Sequence, residues 1–391
     1  MNILFVHSNG IVPTAGGISR TTHNLVSLLR DKGHLVWLLG AKNKHEGVEY
    51  DEHQYFLPCQ ECADVKDNLD YLIGFVRSQN VNVIINQTPF SEDVVLLLFK
   101  CRTETGVKIV SCYHNSILTP IYNYAFQKEF NLKKRGLSFV FNILKKNVIK
   151  GLLTKTYIVK YRNAFRRTSE KSDVVVLLCN GQVNEWRRMC GYSNDNKSVV
   201  IPNFISADDI QQDIKKQQIV LWVGTFDYAI KRPDLMLRIW KEVEREHSGW
   251  SLYMLGDGPS ITEMESLSQQ LGLRRVVFTG RVNPMNYYKT GRIQCVTSVH
   301  EAFPMVTVES MIEANPVIAF NSFTSASDII IDRKNGILVE PFNIVEYSKC
   351  LSELMDNEQL CRAMGDCARK SADRFSPESV YALWQQLFDR L

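Results

Sequence analysis

Two carboxylates, Glu301 and Glu309, flank a proline in the run His300-Glu301-Ala302-Phe303-Pro304-Met305-Val306-Thr307-Val308-Glu309. Proline's fixed φ and missing amide hydrogen suit the first turn of a helix, so a helix is expected from about Met305. The amides from Met305 through Val306 to Thr307 would then lack intrahelical acceptors, and the helix dipole adds positive potential at the same end. That combination makes an anion site, and a diphosphate fits it. Glu309 falls one turn in, on the phosphate side. Glu301 falls in the loop before the helix, within reach of a sugar hydroxyl. Nothing nearby in the sequence raises the pKa of either acid, so the two need not act as a glycosidase pair. Taken singly, Glu301 reads equally well as an exposed loop acid and Glu309 as a solvated helix position.

The elements that must carry these residues alternate between strand and helix. Apolar runs at 2–8, 34–39, 82–86, 108–113, 173–178 and 198–201 read as buried strands, with helical patterns at 21–32 and 92–102 between them. After a polar stretch at 207–217 the alternation restarts. Strands are expected at 219–223, 251–255, 276–278, 294–297, 317–320 and 336–339, with helices at 232–246, 261–271, 286–290 and from 305. Such alternation argues for parallel sheets covered by helices on both faces. Two α/β sheets in tandem would bind ligands beyond the carboxyl ends of their strands, in a cleft between them. The expected division is 1–205, 206–376 and a C-terminal helix 377–391 that crosses back to the first domain. Its Val380, Leu383, Trp384, Leu387 and Phe388 are too apolar to stay in water.

Composition narrows the function classes. The chain has 391 residues, 45% hydrophobic and 23% charged, which fits a two-domain globular protein. A net charge of +4 argues against a nucleic-acid binder. Ten cysteines without a secretory leader read as reduced thiols in a cytoplasmic protein. Cys59 and Cys62 have metal-ligand spacing but no second pair, so no metal site is expected. The N-terminal run reads as a strand, and no segment has the ~20 apolar residues that span a bilayer.

Further motifs accompany the two acids. They are Val223-Gly224 with Lys231, Leu255-Gly256-Asp257-Gly258-Pro259, Phe278-Thr279-Gly280, Glu313-Ala314-Asn315-Pro316-Val317-Ile318-Ala319 and Asn335-Gly336-Ile337-Leu338-Val339. In this order they resemble glycosyltransferase family 4, across most of the second half and, more loosely, the first strand, loop and helix. The resemblance implies a GT-B fold, in which two Rossmann-like doubly wound parallel-sheet domains face a central cleft. It implies retaining transfer from a nucleotide-diphosphate sugar without a metal, a UDP-sugar being favoured over a GDP-sugar. Glu301 then matches the acid on the donor sugar, Glu309 the acid on the ribose, and Lys231 the cation on the departing diphosphate, where a fixed charge contributes most in the transition state. His114, after the strand at 108–113, matches a histidine facing the donor sugar. Gly16-Gly17 matches a loop whose backbone approaches the phosphates, and Gly256 joins the nucleotide-binding set. Thr225 stands where the family carries a second diphosphate cation, leaving Arg232 or Arg20 to substitute. The stretch Asn321-Ser322-Phe323-Thr324-Ser325 departs from the glycines usual there, near the sugar. Asp208-Asp209 is the one tempting acidic pair, and it falls in the polar stretch.

Between residues 127 and 167 lysine and arginine recur with aromatic and aliphatic residues, and from Lys128 to Arg167 the sole acid is Glu129. The segment reads as a basic amphipathic insertion, with two open uses. It either lies on an anionic membrane surface, at the inner face, or packs as a solvated helical insertion. The expected partners are a nucleotide-sugar donor and a glycan or lipid-linked acceptor, as in bacterial-type surface polysaccharide or glycolipid assembly. The competing reading is a non-catalytic subunit of the same fold that binds a sugar nucleotide. A nicotinamide oxidoreductase is excluded, because Ser8-Asn9-Gly10 supplies no Gly-x-Gly-x-x-Gly turn.

Overall fold

A computed structural model of the chain describes residues 1–44, 48–124, 147–205 and 215–391. They fall into two compact units. The first comprises Met1–Asn115, Ile158–Phe204 and Pro377–Leu391, and the second Ser116–Tyr157 and Ile205–Ser376, apart from the residues not described. The acidic pair Asp208-Asp209, most of the polar stretch at 207–217 and the part of the basic segment before residue 147 lie outside the described residues.

The first unit is built on strands β1 (Asn2–His7), β2 (Leu35–Gly40), β3 (Gln54–Phe56), β4 (Val83–Asn86), β5 (Lys108–Tyr113), β6 (Val174–Leu177) and β7 (Ser198–Val200). They pair in the order β3-β2-β1-β4-β5-β6-β7, every pair parallel. Strand β1 shows why so continuous an apolar run is needed. Ile3 and Phe5 enter one core layer with Leu25 and Leu29 of helix α1 (Gly17–Asp31). Leu4 and Val6 enter the opposite layer with Leu72 of α2 (Lys66–Ser78) and Leu97 of α3 (Glu92–Thr105). Each such side chain contributes roughly 2 kcal/mol by leaving water. The C-terminal helix Pro377–Phe388 belongs to this unit, its Val380, Trp384, Leu387 and Phe388 sharing the layer of α1. The Tyr381 hydroxyl meets His34 Nε2 at 3.1 Å.

In the second unit six strands, β8 (Ile219–Val223), β9 (Ser251–Leu255), β10 (Val276–Gly280), β11 (Ile293–Val296), β12 (Val317–Phe320) and β13 (Gly336–Val339), pair in the order β10-β9-β8-β11-β12-β13. All these pairs are parallel as well. The strand order reverses between β1 and β4 in the first sheet and between β8 and β11 in the second. Such switch points open a crevice past the carboxyl ends of the strands.

Among the described residues the remaining helices are α4 (Thr119–Tyr122), α5 (Asn147–Lys171), α6 (Asn180–Cys190), α7 (Pro233–Val243), α8 (Ile261–Gln270), α9 (Met285–Thr290), α10 (Met305–Ile312), α11 (Ala326–Ile329), α12 (Ile344–Asp356), α13 (Glu358–Ala372) and the C-terminal helix, α14. Helix α5 takes up the end of the basic segment. Two of its cations are structural: Arg162 Nε donates to the Met189 carbonyl at 3.2 Å and Arg166 Nε to that of Cys190 at 2.6 Å, both at the end of α6. Positive charge is favourable there because it answers the helix dipole. Leu152 and Val159 of the same helix stay exposed. No helix among the described residues is long and apolar enough to cross a membrane. The Cys59–Cys62 spacing belongs to a turn latched by buried Asn68, whose Nδ2 donates to the carbonyls of Cys59, Cys62 and Ala63. Both thiols are free.

Candidate active site

The second sheet's switch point places a cation beside a carboxylate. After β8 the chain turns tightly around Asp227, whose carbonyl accepts from the amides of Lys231 at 3.0 Å and Arg232 at 3.2 Å. The Asp227 carboxylate accepts from the Ala229 amide at 2.7 Å. Thr297, just past β11, fastens this turn to the neighbouring strand: its Oγ1 accepts from Trp222 Nε1 at 2.9 Å and lies 2.9 Å from the Lys231 carbonyl. The Val299 amide donates to the Ile230 carbonyl at 2.7 Å. From that anchored backbone the Lys231 ammonium forms an ion pair with Glu301 Oε1, and Ser298 Oγ donates to the same oxygen at 2.9 Å. Side-chain exposures of 21% for Lys231 and 16% for Glu301 leave both within reach of a ligand. Buried Asn123 steadies the loop by donating to the carbonyls of Val299 and of Ser322, the latter at 2.8 Å.

Helix α10 starts at Met305 with Pro304 as its N-cap. The Thr307 amide is taken by the Pro304 carbonyl at 3.0 Å. That leaves the amides of Met305 and Val306 without an acceptor among the described residues, and buried Thr307 Oγ1 is equally without a partner there. Glu309, expected on the phosphate side, is 8% exposed and accepts from the Tyr288 hydroxyl at 3.1 Å.

Arg232 does not stand beside Lys231 as a second diphosphate cation. It caps α7 with φ 52°, is 2% exposed, and grips Asp234 through two bonds of 2.8 and 3.0 Å. Its charge is already neutralised in the interior, and withdrawing it would leave Asp234 buried and unpaired. Thr225 is exposed, and Arg20, in α1 of the first unit, is exposed too. Gly256 owes its identity to packing: at φ 133° a Cβ there would collide with the Gly224 carbonyl. Gly16 differs, for its φ of 145° demands glycine while the space around it is open. Gly17 likewise has no neighbouring atom within 4 Å of where a Cβ would stand. The backbone entering α1 is therefore approachable.

His114, past the end of β5 in the first unit, is held by residues that no sequence motif singles out. Its Nε2 is bonded to Gln87 Oε1, so the proton sits on Nε2 and Nδ1 is the free acceptor, without a partner among the described residues. Gln182 donates to the carbonyls of Tyr113 at 3.0 Å and Asn115 at 2.9 Å, fixing the backbone on either side. Burial, helped by the nearby His7, lowers the His114 pKa to about 4. The folded pKa lies below the unfolded value of 6.5, so the resulting stability is full above pH 6.5. It is lost as pH falls towards 4, roughly 3 kcal/mol at most. Imidazole nitrogen shifts measured by NMR between pH 8 and 5 should show a neutral, Nε2-protonated ring throughout. A midpoint near 6.5 would contradict this placement.

Gln87, Ser298 and Tyr288 each hold a residue that was expected to act. Ser298 precedes Glu301 by three positions, a spacing readable in the sequence. Gln87 directly follows β4 at the switch point, which is a positional cue once the strand order is known.

A family model described as Glycosyltransferase Family 4 matches residues 15–209, and one described as Glycosyl transferases group 1 matches residues 205–371. An uncharacterized glycosyltransferase of Haemophilus influenzae is 26% identical over 215 residues, covering 54% of this chain and 60% of that protein. The poly(ribitol-phosphate) alpha-N-acetylglucosaminyltransferase of Staphylococcus aureus is 22% identical over 367 residues, covering 93% of this chain and 71% of that protein. Among solved structures, Anabaena Alr3699/HepE in complex with UDP superposes with a TM-score of 0.72 over 100% of both chains, at 15% identity. That likeness shows the fold, two parallel-sheet α/β domains of the GT-B kind. With matches that together span residues 15–371, the chain belongs to glycosyltransferase family 4.

Proposed function

We propose that this protein is a retaining, metal-independent glycosyltransferase that moves a sugar from a UDP-sugar to a glycan or lipid-linked acceptor in bacterial-type surface polysaccharide or glycolipid assembly. The observation that carries the reading is the Lys231–Glu301 pair at the second sheet's switch point, next to the start of α10. An incoming diphosphate brings more negative charge than one carboxylate and competes for the Lys231 ammonium. Glu301, released, accepts from a donor-sugar hydroxyl while Met305 and Val306 offer amides to the phosphates. As the sugar–phosphate bond breaks, charge grows on the departing diphosphate, and fixed donors stabilise it without reorganising. The acceptor hydroxyl attacks on the face the diphosphate leaves, and the departing phosphate takes its proton. His114 supplies an uncharged acceptor for a sugar hydroxyl.

The preference for UDP is supported by the Anabaena relative's complex with UDP. The nature of the acceptor is supported by the Staphylococcus relative, named for a poly(ribitol-phosphate) substrate. The basic segment at 127–167 and the exposed Leu152 and Val159 support contact with an anionic membrane at its inner face.

Thermal-shift screening against UDP-, GDP- and ADP-sugars with EDTA present tests the donor. The UDP series should raise the midpoint, and the rise should persist in EDTA. Stabilisation by another series alone overturns the donor assignment, and its loss in EDTA overturns metal independence. A non-catalytic sugar-nucleotide-binding subunit is favoured by exposed Thr225 in place of a cation. It predicts the same shift with no turnover.

A further inference from the structure

The second unit carries a cavity of about 350 Å³ at the edge of the sheet opposite Lys231 and Glu301. Its lining comes from the amino-terminal approaches to three strands, Lys215 and Lys216 before β8, Arg292 before β11 and Ala314 before β12, together with helix α13. From α13 come Arg362 and Arg369, with Glu358 and Asp366 as the carboxylates. Five cations against two carboxylates give the cavity an excess of positive charge.

The charges are arranged unequally. Lys216 is fixed in place, its ammonium donating to the carbonyls of Tyr288 at 2.8 Å and Glu313 at 2.7 Å and to Asn315 Oδ1 at 2.8 Å. All three acceptors are neutral, so none cancels its charge. Arg292 is shared between Glu358 at 2.9 Å and the Lys216 carbonyl at 3.2 Å. Arg369 donates through Nε to the Ile312 carbonyl at 2.9 Å. Lys215, Arg362 and Arg369 have no carboxylate partner among the described residues. Burial pushes Lys216 down to about 7 against the pull of Glu313, and Arg369 and Arg292 add to the fall by smaller amounts.

We propose that this cavity is a second anion site, which binds the phosphate group of a small molecule or of a lipid headgroup. A volume of this size admits a small ligand and excludes a polymer. Neutralising the cluster takes more than one negative charge. Guanidinium groups match the spacing of phosphoryl oxygens, and an anion bound beside Lys216 favours its charged ammonium form. The site stands independently of the proposed transfer reaction, because the candidate diphosphate position lies past the opposite ends of β8 and β11.

Calorimetric titration of the full chain with sodium pyrophosphate tests it, with Lys231→Ala used to weaken the candidate diphosphate position. A binding step should survive in Lys231→Ala. Adding Lys215→Gln and Arg362→Gln should weaken that step at least ~tenfold, since two attractive charges close to the ligand are lost. Both residues are exposed, so the melting temperature should stay unchanged. A parallel arm uses phosphatidylglycerol vesicles in place of pyrophosphate. Weakening towards pyrophosphate supports the site with a soluble ligand, and weakening towards vesicles alone supports it with a lipid headgroup. No surviving step in Lys231→Ala towards either probe, or undiminished affinity in the charge-removed variant towards both, would overturn the proposal.

Discussion

Glu301→Ala is expected to lower transfer by ~10²–10³-fold while nucleotide affinity stays within a factor of about 3, because in the proposed role its oxygen meets the sugar and not the nucleotide. The readout is nucleotide release from the sugar donor, to acceptor or to water, beside a binding titration of the nucleotide alone. Wild-type release by Glu301→Ala would remove this residue from the site. The split between rate and affinity separates the proposed role from a structural one. In the free protein Glu301 neutralises Lys231 and accepts from Ser298. Removing it leaves a partly exposed ammonium that water can solvate, so the stability cost should be only ~1 kcal/mol. A folding defect would depress binding and turnover together.

Lys231→Ala is expected to weaken both binding and turnover. A charge-assisted bond to a phosphate contributes roughly 1.5–3 kcal/mol, which is ~10–100-fold in nucleotide affinity. Turnover should fall further, because the charge on the diphosphate is largest as the bond to the sugar breaks. The neighbouring Arg232 cannot replace it, being clasped by Asp234 inside the second unit. The backbone that carries Lys231 is held by Asp227 and Thr297 through contacts the substitution does not touch. Loss of the ammonium is therefore read without collapse of the turn.

Much of this arrangement was legible in the sequence where hydrophobic period and position coincide. The strands at 219–223, 251–255, 317–320 and 336–339 were bounded correctly because parallel strands buried on both faces need unbroken apolar runs. Proline at 304 placed the start of α10. Helices α2 and α6 were missed where buried polar residues interrupt the period. Asn68, fully buried in α2, serves the carbonyls of the preceding turn and not the apolar core. Gln182 does the same in α6 for the backbone around His114. Strand β3 was missed because its Gln54, Tyr55 and Phe56 are none of them fully buried.

Within the site, residue types were readable but partners were not. The pattern named Lys231 and Glu301 separately, and only the strand order shows that their loops flank one switch point. Arg232 was misjudged because its neighbour Asp234, two positions on, reads in sequence as an ordinary acid in a helix's first turn. That acid is instead a buried counter-charge. His114 was named through the family resemblance, since its place after a strand alone reads as a loop histidine. Its protonation state depends on Gln87, which lies on a different strand's end and has no local signature.

Calorimetric titration of UDP into the wild-type protein and into Lys231→Ala decides whether the Lys231 ammonium holds the diphosphate. Saturable binding to the wild type in EDTA is expected, with a ~10–100-fold loss in the variant at an unchanged melting temperature. Equal affinity in the two proteins would contradict it, since the ammonium that faces Glu301 would then have no part in holding the diphosphate.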